Sequence, residues 1–74
     1  LALLDRLKAW RTEQARERGV PAYVVAQDRM LQDLVLRRPA TTEELLTVKG
    51  FGAARVDTYG DDLLALLADN DRDS

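Results

Sequence analysis

The chain has 74 residues, enough for one small domain whose core is marginal unless its helices pack well or a larger protein supports it. It contains no cysteine and no histidine, which excludes disulfides, thiolate metal sites and the commonest metal ligand and general base. A net charge of −2 argues against a general nucleic-acid binder, and no apolar run reaches the ~20 residues that a membrane span needs.

The charge is unevenly spread. Residues 1–56 hold ten Lys/Arg against seven Asp/Glu, whereas residues 57–74 hold one Arg against six Asp. Any anion-binding surface therefore belongs on the earlier part, and the acidic end would repel phosphate. No secretory signal pattern opens the chain, which points to a soluble intracellular module. It starts on a helix pattern without an initiator methionine and so reads as a piece of something longer.

Helical spacing accounts for four elements, and no strand is convincing. The first helix spans about residues 3–18, with Leu3, Leu4, Leu7, Trp10, Gln14 and Ala15 on one broad face. Arg11 falls inside that face, so its stem packs while its head needs a polar partner. Gly19 stands where a helix commonly ends in a left-handed residue. Residues 20–25, Val-Pro-Ala-Tyr-Val-Val, are apolar and lack a partner strand, which predicts an extended or short helical connector. Asp28 reads as the cap of a second long helix, with Met30, Leu31, Leu34 and Val35 inward. Arg37 and Arg38 close it and Pro39 stops it.

Thr41 or Thr42 caps a short third helix, the spacing of Thr41 and Glu44 being that of a capping box. That helix buries Leu45, Leu46 and Val48. A glycine turn follows, Lys49-Gly50-Phe51-Gly52, and then a helix to about Ala68 with Arg55 one turn in and Gly60 inside it. Gly60 implies either a close crossing by another helix or a bend. Residues 69–74 read as a frayed polar tail. The expected core is Leu4, Leu7, Trp10, Leu31, Leu34, Leu45, Val56, Leu63 and Leu66.

Taken in order, Leu7-x-x-Trp10-Arg11, Ala15, Gly19-Val20-Pro21-Ala22-Tyr23-Val24-Val25, Asp28-x-x-Leu31, Arg38-Pro39, Glu44-Leu45, Val48-x-Gly50-Phe51-Gly52, Arg55 and Tyr59-Gly60 resemble the helicase-and-ribonuclease-D C-terminal domain, HRDC. The likeness covers about residues 4–67. The Pro-Ala-Tyr-Val-Val segment looks most like the bacterial RecQ-type DNA helicase branch, and certain bacterial UvrD-like helicases carry similar versions. The resemblance implies an all-α, compact orthogonal bundle of about five short helices, one accessory domain over residues 1–74, with no cofactor and no catalysis of its own. It implies a cytoplasmic, nucleoid-associated parent that is an ATP-dependent DNA helicase of repair and recombination. It further implies a monomeric module that binds single-stranded or branched DNA weakly, or one that instead contacts the parent's catalytic core. Such a family contacts DNA through the connector after the first helix, here Tyr23 with Arg16 and Arg18 nearby. The glycine turn also resembles the hairpin of helix-hairpin-helix DNA binders.

Each candidate has a structural reading beside the functional one. Lys49, with the amides around Gly50 and Gly52, would attract a phosphate at the start of the last helix, although a Gly-x-Gly often only makes a turn. Tyr23 can stack on an unpaired base or close the core as a half-buried ring. Arg16 lies opposite the apolar stripe and faces solvent. Arg18 offsets the helix dipole or meets a phosphate. Arg55 binds an anion or pairs with Asp57 or Glu44. The carboxylates make no catalytic pair, because Asp61 and Asp62 point about 100° apart and nothing dries the surface shared by Asp57 and Asp61. There is no phosphate-binding Walker loop, so a helicase motor would lie elsewhere in the parent.

Overall fold

The computed structural model describes residues 2–73 and contains five helices and, among those residues, no strand. They are α1 (Ala2–Arg18), α2 (Ala22–Val25), α3 (Asp28–Arg37), α4 (Thr42–Leu46) and α5 (Ala53–Asp73). The connector after α1 resolves as the short helix α2, which completes the all-helical bundle of five. Helix α1 packs on α2, α3 and α5, and α4 packs on α5.

The first helix ends as its sequence predicts. Gly19 has φ +66°, its N–H donates to Arg16 O at 3.3 Å, and Val20 N–H donates to Ala15 O at 3.0 Å. These are the two bonds of a Schellman motif, which satisfy carbonyls that the helix leaves open. The third helix begins one residue earlier than expected. Gln27 is its cap and Asp28 is the first helical residue. The Asp28 carboxylate turns back to Arg11 instead, at 2.7 Å, and Arg11 also donates to Ala26 O at 3.1 Å. Arg11 thus finds the polar partner that its inward position demands.

The Arg11 hydrogen bond and charge lower the Asp28 pKa below its ordinary value of 3.8. A carboxylate with a depressed folded-state pKa stabilises the fold above its unfolded pKa and loses that effect as pH falls through the folded value. Asp28→Asn should therefore melt below the parent at neutral pH, and the gap should close under acid, below about pH 4. Melting curves at several pH values check this; a gap independent of pH would mean that the pair is not the cause.

Arg38 ends α3 in the left-handed region at φ 44°, unusual for a residue with a side chain. Its amide donates to Leu34 O at 2.8 Å and its guanidinium reaches Val35 O and Asp71. Pro39 is buried just beyond. Thr41, not Thr42, caps α4: its hydroxyl accepts from Glu44 N–H at 3.1 Å, while the Glu44 carboxylate accepts from Ala40 N–H at 3.0 Å.

The core is built from the inward stripes. Leu7, Leu31, Leu34, Leu45, Val56 and Leu63 are buried as expected, and Leu4, Trp10 and Leu66 are half-buried against them. Phe51, between the turn glycines, joins the largest fully enclosed side chains. Trp10 meets Tyr59 edge-on at 5.4 Å, an arrangement suited to the ring quadrupoles. Gly60 is buried because α4 crosses it. A Cβ there would lie 3.2 Å from a Val56 methyl and 3.7 Å from Leu45 Cδ2. The last helix runs past Ala68 to Asp73, and its distal acids are tied back. Arg6 bridges Asp69 at 2.7 Å and bonds Asn70, and Arg38 reaches Asp71 at 3.2 Å.

Candidate nucleic-acid interface

The two surfaces that the sequence offered separately, the connector after α1 and the glycine turn before α5, are neighbours, and Arg55 joins them. Its Nε donates to Val25 O at 3.2 Å, Nη2 to Val24 O at 3.2 Å and Nη1 to Gly50 O at 3.3 Å. A four-residue helix leaves its last carbonyls unpaired, and a forked guanidinium from α5 supplies the missing donors. Arg55 therefore reaches neither Asp57 nor Glu44. It holds α2 against the turn, which makes it a positioning residue at this face.

Within the turn the glycines differ. Gly50 has φ +94°, and a Cβ built there would lie 2.8 Å from Met30 Sδ. Gly52 has no positive φ and open space around it. Its carbonyl accepts Val56 N–H at 3.0 Å, so it starts α5 as the cap. Only one of the two glycines is demanded by backbone shape. The amides of Ala53, Ala54 and Arg55 precede the first intrahelical donor of α5 and are the groups a helix start turns towards an anion. Lys49, earlier in the same turn, is exposed and makes no ion pair among the described residues.

Tyr23, on α2, is 67% exposed, and Val24 beside it is 44% exposed. The ring therefore does not close the core. An open groove lies alongside, lined by Arg18, Val24, Ala54, Arg55, Thr58 and Tyr59. The Arg18 guanidinium stands over the Tyr59 ring, 5.0 Å from its centre, so the cation is held by an aromatic face at the groove wall. Arg16 is exposed and loosely paired with Glu13 at 3.6 Å, one turn away on α1. That pair lowers the positive field of this side, and a surface pair of this kind is weak enough for a phosphate to displace.

The arrangement offers an aromatic plane, two or three cations and open helix-start amides around one shallow groove. Such a set suits a flexible, charged strand with a base to stack. The sequence missed Arg55's structural role. The only signal was its spacing from a connector that the sequence left open between an extended and a short helical form. Tyr59, buried in the core, is also the seat of Arg18.

Residues 1–67 match the family model described as the HRDC domain. Over 65 residues the chain is 40% identical to the ATP-dependent DNA helicase UvrD2 of Mycobacterium tuberculosis, which takes in 88% of this chain and 9% of that protein. It is 40% identical over 58 residues to the ATP-dependent DNA helicase RecQ of Bacillus subtilis, covering 78% of this chain and 10% of the helicase. Among solved structures, D. radiodurans RecQ HRDC domain 3 superposes with a TM-score of 0.84 at 35% identity, over 88% of this chain and 86% of that one. The chain thus spans about a tenth of the length of the helicases it resembles.

Proposed function

The chain belongs to the HRDC domain family, and from that premise we propose that it is a non-catalytic accessory module of a bacterial ATP-dependent DNA helicase. In this reading it works as a monomer in the cytoplasm, at the nucleoid. It holds single-stranded or branched DNA weakly and so tunes how the motor engages its substrate. The observation that carries the DNA reading is Tyr23, two-thirds exposed beside the Arg18–Tyr59 groove on a helix whose last carbonyls Arg55 holds. A large aromatic ring left out of a small core has been given up as a source of stability, and base stacking is the use that the neighbouring cations favour.

In detail, Tyr23 stacks on an unpaired base, while Lys49, Arg16, Arg18, the glycine amides of the turn and the open amides of Ala53, Ala54 and Arg55 meet phosphates. Arg55 keeps the two halves in register. Few cations take part, and the molecule carries net negative charge. Affinity should therefore fall in the range of non-specific binders, roughly 10⁻⁴–10⁻⁶ M at physiological salt.

The test is a titration of labelled oligodeoxythymidine and of duplex DNA over a range of salt. Tyr23→Ala should weaken single-strand binding by the equivalent of about 1–3 kcal/mol for one lost stack. Lys49→Ala should lower the salt slope by about one phosphate contact and leave strand preference alone. Neither should move the melting temperature, since both side chains are exposed. Nanomolar, salt-resistant binding, or a Tyr23→Ala variant that binds like the parent, would contradict the proposal.

A further inference from the structure

Helix α5 separates two grooves of opposite character. Successive helix residues turn by about 100°, so Ala54, Arg55, Thr58 and Tyr59, which line the cationic groove, lie roughly opposite Ala53, Val56, Asp57 and Asp61. The second set lines an open groove against α4, completed by Thr42 and Leu46. Leu46 is 44% exposed there, and Val56 forms an apolar floor. No lysine or arginine lines it.

The carboxylates of this groove differ from the bridged ones farther along α5. Asp69 and Asp71 are bridged by Arg6 and Arg38. Asp57 and Asp61, one helical turn apart and exposed, make no ion pair among the described residues. The chain thus bridges Asp69 and Asp71 and leaves the proximal acids open, Asp57 and Asp61 among them beside an uncovered leucine. An open groove leaves most of a small molecule wet, whereas bound small ligands are typically 70–90% enclosed. Two carboxylates would also repel a phosphate backbone. The chemistry that matches the groove is an apolar side chain flanked by cations at helical spacing.

We infer that the α4–α5 groove is a docking site for a basic amphipathic helix of a protein partner, with an apolar side chain against Leu46 and Val56 and lysine or arginine on Asp57 and Asp61. The site goes beyond the DNA-binding reading and occupies the other side of the same helix. The module can then hold DNA and a protein at once, with α5 as the shared wall.

The experiment uses the isotope-labelled protein and an amphipathic leucine–lysine helical peptide, with a leucine–glutamate peptide and oligodeoxythymidine as the other arms. The leucine–lysine peptide should shift the amides of Leu46, Asp57 and Asp61, and the glutamate peptide should not bind. Asp57→Lys/Asp61→Lys and, separately, Leu46→Ser should each lower peptide affinity about tenfold or more. The charge reversal should not weaken oligonucleotide binding. All three positions are exposed, and circular dichroism confirms that the variants fold. The inference is overturned if the lysine peptide does not bind, if Leu46→Ser leaves its affinity unchanged, or if its shifts fall around Tyr23. Failure of the oligonucleotide arm alone, with the peptide arm as expected, would remove the DNA reading and leave the docking site standing.

Discussion

Leu34→Ala should destabilise the protein by roughly 2–5 kcal/mol, the range for a buried leucine that leaves a cavity. Leu34 is fully enclosed in the middle of α3, among side chains from the rest of the core. The loss is large for this chain. At about 0.05–0.15 kcal/mol per residue, a domain of this size has only about 4–11 kcal/mol to give. Two residues along the same helix, Leu36 is 81% exposed. Leu36→Ala should change stability by about 0.5 kcal/mol or less. Urea denaturation of the pair separates burial from helix propensity, since both substitutions are the same on the same helix. Equal midpoints for the two variants would show that α3 does not face the core as described.

Gly50→Ala should cost about as much, by a different route. At φ +94° a side chain is strained by itself, which costs roughly 1–2 kcal/mol. The added Cβ would also stand 2.8 Å from Met30 Sδ and 2.9 Å from Met30 Cγ. Met30 is buried, so it gives way only by disturbing its own neighbours, and overpacking of this kind costs about 1–3 kcal/mol more. Gly52→Ala should stay within about 1 kcal/mol of the parent, because its site is open and it serves only as a helix cap. The effect of Gly50→Ala should also reach the proposed binding face. The Gly50 carbonyl is one of the three that Arg55 holds, so a displaced turn loosens α2 and Tyr23 with it. Thermal melts of the two alanine variants, with oligonucleotide titrations beside them, test both links. Matching losses for Gly50→Ala and Gly52→Ala would mean that the turn does not have the conformation described.

The long elements were legible because each carries a periodic apolar stripe and local stop signals. Gly19 ended α1 by its left-handed angle, and Thr41 with Glu44 opened α4 by reciprocal bonds. Both depend on residues adjacent in sequence. What stayed hidden depends on partners far apart in the chain. Four apolar residues could not decide between an extended and a short helical connector, since the last carbonyls of α2 are satisfied by Arg55, about 30 positions away. The continuation of α5 beyond Ala68 was masked by a polar composition. That composition is accommodated because Arg6 and Arg38 meet Asp69 and Asp71. Asp28 has the chemistry of a cap, yet Arg11 claims it across the α1–α3 contact. At the candidate face, Tyr23, Arg16, Arg18 and Lys49 are proposed from residue type and from the family's spacing. The groove that gathers Arg18, Arg55 and Tyr59 is a product of packing. The distinct demands on Gly50 and Gly52 rest on where Met30 lies.

The most direct measurement is amide-shift mapping of the isotope-labelled protein with a short oligodeoxythymidine at low salt. The shifted amides should cluster at the end of α1, along α2 around Tyr23, and through the turn from Lys49 into the start of α5. Those around Asp57, Asp61 and Asp62 should stay still. Shifts centred on Asp61, or none at concentrations well above 10⁻⁴ M, the upper end of the roughly 10⁻⁴–10⁻⁶ M non-specific range, would contradict a DNA-binding face built around Tyr23.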